Sequence, residues 1–143
     1  MKAAVPTISE LYEQLIRGWN DHDADAFAQP FAHDAVVVGF DGSELAGRNA
    51  IHDEMVRIFE DHETAPYVTK VHEVRSLGAE VEVLRAIAGM IPPGRSELEP
   101  SRNAHQTLVA ARGEIVLFQN TPAQFHGRPE LVERMTRELE ASR

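Results

Sequence analysis

Between His105 and Thr121 the chain reads HQTLVAARGEIVLFQNT, two β-branched-rich runs about a tight turn at Arg112-Gly113, with polar side chains gathered at both ends. Strand alternation places His105 with Thr107 on one face and Gln106 with Leu108 on the other; on the second run Phe118 and Asn120 share a face opposite Leu117 and Gln119. A histidine titrates near neutral pH, so His105 within reach of Asn120 is a candidate general acid or base. Gln and Asn do not titrate; they orient a ligand, or they pair with one another across the hairpin at a rim. Arg85 lies in the apolar run AEVEVLRAIAGM, where an arginine needs a partner. Its planar, permanently charged fork suits a carboxylate, enolate or phenolate. The other reading is an ion pair with a neighbouring strand, through Glu73 or Glu82, or with a partner subunit. Alternation groups Val81, Val83, Arg85 and Ile87 without saying whether their face is inner or outer. His105 and Arg85 are the candidate catalytic residues, and Asn120 is a candidate ligand contact.

Other chemistries lack their residues. There is no cysteine, which excludes thiolate nucleophiles, disulfides and Cys-ligated metal sites. The acidic stretch NDHDADAF reads as a helix cap and a solvated turn. The seven histidines include no HExxH and no close pair at zinc spacing, so no metal is expected. GAE and PPGR match neither GxGxxG nor a P-loop, and no nicotinamide, nucleotide or other cofactor is expected.

At 143 residues, with 43% apolar and 26% charged residues, the chain suits one globular domain over residues 1–143. A formal net charge of −9 repels phosphate backbones and anionic lipid, so nucleic-acid partners are not expected. No run approaches the length of a membrane span, the N-terminus lacks a signal-peptide core, and a cytoplasmic location is expected.

The elements that position the candidates follow from periodicity. Ile8, Leu11, Tyr12, Leu15, Ile16 and Trp19 recur at three- and four-residue steps, predicting a helix over 7–19 with a Thr7/Glu10 capping box that weakens near Gly18. A short second helix follows, capped by Asp23 and stopped by Pro30. AVVVGF and SELAG flank Asp41-Gly42, predicting a hairpin turn in which both central residues take positive φ. RNAIHDEMVRIFEDH returns to helical spacing. Beyond Pro66 come four long strands, then a final helix opened by Pro129. Helices first and strands later make an α+β fold with an antiparallel sheet.

That order resembles the NTF2-like superfamily, the SnoaL-like cone-shaped α+β barrel. GWNDHDADAFAQPFAHDAVVVGFDGSELAGRNAI, LRAIAGMIPPGRSELEPSRNAHQTLVA and VLFQNTPAQFHGRPE are similar to segments of its SgcJ/EcaC branch. The resemblance covers residues 7–135. It implies a strongly curved antiparallel sheet wrapped around the N-terminal helices, an apolar pocket between them, and a homodimer formed through the outer sheet face. The strands themselves point to a dimer too: AEVEVLRAIAGM, LVAA and IVLF offer apolar atoms to both faces, and the chain has few helices to cover them. The acid of isomerase-type members has no counterpart in AVVVGF, and the Asp-Arg-Asp set of epoxide-hydrolase members has no aspartate in the long strands.

The expected function is binding of an apolar small molecule in the cone pocket. Its wall would include Trp19, Phe40, Met55, Phe59, Met90, Phe118 and Asn120, an aromatic and methionine lining suited to a flat apolar ligand. Two alternatives stay open. One is a cofactor-independent isomerase, cyclase or dehydratase of a polyketide- or terpenoid-like metabolite, using His105 and Arg85. The other is a dimerisation module with a vestigial pocket.

Overall fold

The computed structural model describes residues 4–143. Helix α1 (Ile8–Asn20) starts where the capping box predicts: the Thr7 hydroxyl accepts from the Glu10 amide, and the Glu10 carboxylate accepts from the Thr7 amide. Its apolar stripe buries Ile8, Leu11, Tyr12 and Leu15. Helix α2 (Ala24–Ala28) is capped by Asp23, and Phe27 and Ala28 are buried. Gly18 does not mark fraying. A Cβ there would stand 2.5 Å from the Phe27 amide nitrogen, so glycine is what allows α2 to fold back against α1.

Strand β1 (Phe31–Val38) pairs with the short β2 (Glu44–Ala46). Of the two residues predicted to need positive φ in the connecting turn, Gly42 has it, at 89°, and Asp41 does not. The loop is one of the longer kind: the Gly42 amide donates to the Gly39 carbonyl, and the Gly39 amide to the Ser43 carbonyl, both at 2.9 Å. By contrast Arg112 and Gly113 both take positive φ, 54° and 78°, as a two-residue hairpin requires. Helix α3 (Arg48–Asp61) turns Ile51 and Met55 into the core.

Strands β3 (Tyr67–Ser76), β4 (Val81–Met90), β5 (Ala104–Ala111) and β6 (Glu114–Pro122) form a meander, and the six strands are ordered β2-β1-β6-β5-β4-β3. The curved sheet wraps α1 as expected. One pairing departs from the antiparallel rule: β1 and β6 run parallel. The β1–β2 hairpin occupies one edge of β1, so the meander closes on its other edge and arrives in the same direction. Their register slips between Phe31 and Val36, an irregularity that interrupts the ladder there.

The inner face of the sheet carries Leu84, Ala86, Leu108, Ala110, Ile115 and Phe118, which pack on α1. Helix α4 (Pro129–Ala141) lies on the other side. Ile87, Leu98, Ala123, Met135 and Leu139 form a second apolar cluster there. The outward Ile87 is therefore covered by the chain's own last helix, where a partner subunit had been the expected cover. A cross-strand row of Val36, Leu117, Val109 and Val83 stays half-exposed on the same outer face. No helix among the described residues is long and apolar enough to cross a membrane.

Candidate functional site

The mouth of the cone opens into a cavity of about 950 Å³. Helix α1 contributes Leu15 and Trp19, α2 Phe27, α3 Met55 and Ile58, and the sheet Val37, Tyr67, Met90, Phe118 and Asn120. Trp19 is held in place by its indole N–H, which donates to the Ala65 carbonyl at 2.8 Å, and by ring contacts with Phe27, Phe59 and Tyr67. Six of the seven expected contacts thus line one cavity: Trp19, Phe40, Met55, Met90, Phe118 and Asn120. Phe59 does not reach the wall. It stands behind Trp19, ring centroids 5.5 Å apart, because its position on α3 is one residue past the inward-facing Ile58.

Arg85 and His105 correct the expectation for the catalytic pair. Register pairs Ala86 with Gln106 and Gln106 with Asn120, and these three face the interior, so alternation sends Arg85 and His105 to the outer face. Both are exposed there. Arg85 makes the anticipated ion pair with Glu73, at 3.4 Å. Partial desolvation by the sheet, then the charges of Arg85 and His72, holds the His105 pKa below its ordinary value. Neither side chain lines the cavity, and the approach of His105 to Asn120 does not form, because the two lie on opposite faces of the hairpin.

The interior instead holds a polar chain. The Tyr12 hydroxyl donates to Gln106 Oε1 at 2.5 Å, Gln106 Nε2 donates to Asn120 Oδ1 at 3.4 Å, and Asn120 Nδ2 donates to the Tyr67 hydroxyl oxygen at 3.3 Å. The first contact sets the direction of the rest. A separation of 2.5 Å belongs to O–H···O and is too short for N–H···O, so Gln106 turns its oxygen to Tyr12 and its nitrogen to Asn120. Asn120 must then answer with oxygen, leaving its own NH₂ for Tyr67. Gln106 is wholly buried and Asn120 nearly so, and each meets its needs through this chain. Burial pushes the Tyr67 phenol up to about 12, against the lowering effect of the Asn120 bond; burial also raises Tyr12. Both remain neutral phenols at physiological pH.

The other titratable groups along the cavity lie toward its rim. Asp41 is exposed and accepts from the Ser43 amide and hydroxyl, which lowers its pKa. Glu54 is ion-paired with Arg57, and His62 is exposed at the end of α3. Arg102 reaches the wall from the short 3-10 helix Pro100–Arg102 before β5, its Nη1 3.9 Å from Met90 Sδ. The Thr64 hydroxyl, also on the wall, is buried with no hydrogen-bond partner among the described residues. Among the described residues no three His, Asp or Glu side chains converge as a metal site would require.

Tyr67, Tyr12 and Arg102 were not among the expected site residues, and Gln106, expected to orient a ligand or to pair across the hairpin at a rim, pairs with Asn120 in the interior. A signal for the tyrosines was present. The chain has two, and both fall on core-facing positions, where a buried tyrosine calls for a hydrogen-bond partner. Arg102 carries no such signal, since its place depends on how the loop 91–103 crosses the end of the sheet.

The SnoaL-like domain family matches residues 12–98. No curated protein matches the chain. Among solved structures, a domain of unknown function with a cystatin-like fold from Nostoc punctiforme is 24% identical with a TM-score of 0.79, covering 89% of this chain and 82% of its own. A ketosteroid isomerase-like protein from Erwinia carotovora atroseptica is 12% identical with a TM-score of 0.64, over 85% of this chain and 98% of its own. An NTF2-like protein of unknown function from Shewanella oneidensis is 15% identical with a TM-score of 0.65, over 80% and 95%. At these identities the likeness is one of fold.

Proposed function

The chain belongs to the SnoaL-like domain family and has the NTF2-like cone, and on that premise we propose that it is a dimeric, cytoplasmic binding protein for an apolar small molecule, a single domain over 1–143 within the SgcJ/EcaC branch. The observation that carries this reading is the cavity itself. Its volume suits a ligand of metabolite size, its wall is aromatic and aliphatic, and a few convergent polar groups stand along it. Trp19, Met55, Met90, Phe118 and Asn120 are the proposed contacts, with Phe40 at the rim and Phe59 supporting Trp19 from behind.

Homodimerisation through the outer sheet face is supported by the half-exposed row Val36–Leu117–Val109–Val83, which α4 leaves uncovered. Catalysis by a cofactor-independent isomerase, cyclase or dehydratase through His105 and Arg85 loses support, because both stand across the sheet from the cavity, and of the carboxylates on the wall Asp41 is held by Ser43 and Glu54 by Arg57. A vestigial pocket is disfavoured by a cavity that the chain's own side chains leave open.

The test is a titration with N-phenyl-1-naphthylamine, a neutral apolar dye that brightens out of water. The wild-type protein should take it up saturably, with one site per chain. Ala104→Phe, which projects a ring into the cavity from a buried wall position, should abolish uptake while the fold persists by circular dichroism. Absence of saturable uptake, or equal uptake by the variant, would contradict the reading.

A further inference from the structure

Toward Met90 the polar groups of the cavity keep donors to spare, while the carboxylates of the wall, Asp41 and Glu54, are held by other side chains. The hydrogen-bond chain runs in one direction, from Tyr12 through Gln106 and Asn120 to Tyr67. At its end the Tyr67 oxygen accepts from Asn120, while its own O–H donates to none of the described residues; both Tyr67 and Asn120 line the cavity. Asn120 Nδ2 carries a second hydrogen beside it. Hydrogen bonds in series polarise one another, so the last donor of such a chain is a better donor than an isolated phenol.

A second observation is independent of the chain. Arg102 lines the same cavity, and among the described residues its guanidinium meets only the thioether of Met90, a weak acceptor, at 3.9 Å. No carboxylate of the described residues pairs with it, whereas Arg57, the other arginine of the wall, is neutralised by Glu54. The rim carboxylates are likewise engaged, Asp41 by Ser43 and Glu54 by Arg57. Met90 sits opposite Tyr67 in the β3–β4 register and touches Arg102, so the spare phenolic donor and the spare cation flank one methionine. Around that side chain the wall is rich in donors and carries one unmatched positive charge.

We propose that the cavity selects apolar carboxylic acids, with the carboxylate read by Arg102 and Tyr67 and the hydrocarbon body lying against Trp19 and Phe118. This rests on the small-molecule reading above and names the ligand class. Tyr67 and Arg102 act as specificity-determining residues. The same geometry accounts for an acidic protein that nonetheless keeps an arginine at its pocket: the charge has a use once an anion is bound.

The experiment compares 2-naphthoate, its methyl ester and 2-methylnaphthalene on the full chain. Occupancy is followed by the indole N–H resonance of Trp19, the single tryptophan. A charge-assisted pair at a partly exposed site should favour the acid over the hydrocarbon by about tenfold. The ester, which keeps an acceptor for Tyr67 but no charge, should fall between them. Arg102→Met should bring the acid-to-ester ratio near one, and Tyr67→Phe should weaken acid and ester relative to the hydrocarbon. Equal affinities for the three compounds, or an acid preference that survives Arg102→Met, would overturn the proposal and leave the apolar pocket standing. Failure of all three to move the Trp19 resonance would instead remove the pocket reading, and this inference with it.

Discussion

Gln106 is the polar side chain on which the interior depends most. It is wholly buried and serves two neighbours at once, accepting from Tyr12 and donating to Asn120. Gln106→Leu strips a partner from both, and each buried orphan costs about 1–3 kcal/mol, so the variant should lose about 2–5 kcal/mol by urea denaturation. Adding Tyr12→Phe removes one of the orphans and should restore part of the loss, because replacing both partners of a buried bond costs less than replacing one. At this scale the sequence was half legible. Alternation grouped Gln106 with Leu108 and Phe118 with Asn120, and the structure keeps both groupings. It could not tell inside from outside, since an apolar run with side chains suited to both faces has no polar face to mark the solvent. His105 and Arg85 were lost to that ambiguity.

At the scale of elements, what depends on local chemistry was legible: the Thr7 capping box, the Asp23 cap, the Arg112-Gly113 turn and Pro129 at the first turn of α4 all stand where their residues predict. What depends on contact with a distant element was not. The role of Gly18 is set by α2, and the cover over Ile87 by α4. Gly18→Ala separates the two kinds of argument. Helix propensity alone would favour alanine by about 1 kcal/mol. The new methyl, however, would meet backbone atoms of Ala26 and Phe27 at 2.5–2.9 Å, and backbone cannot rotate away as a side chain can. Overpacking of this kind costs about 1–3 kcal/mol, so the variant should melt at a lower temperature than the parent, and a rise in Tm would show that α2 yields freely.

For the whole molecule, the cone gives two apolar surfaces with different fates. The concave one surrounds α1 and leaves the cavity. The convex one is shielded by α4 at one end and leaves the Val36–Leu117–Val109–Val83 row half-exposed at the other. The parallel closure of β1 on β6 escaped the sequence because it joins strands from opposite ends of the chain, a pairing that no local pattern encodes. Cavity and convex row together define the central claim, a paired receptacle for an apolar molecule. Native mass spectrometry of the gently purified protein tests it most directly, with a denatured sample and Leu117→Lys alongside. Wild-type particles should fly at twice the 15.9 kDa chain mass with an additional small mass that denaturation releases, and Leu117→Lys should be predominantly monomeric. Wild-type chains that fly singly and carry nothing, even after incubation with an apolar ligand, would contradict it.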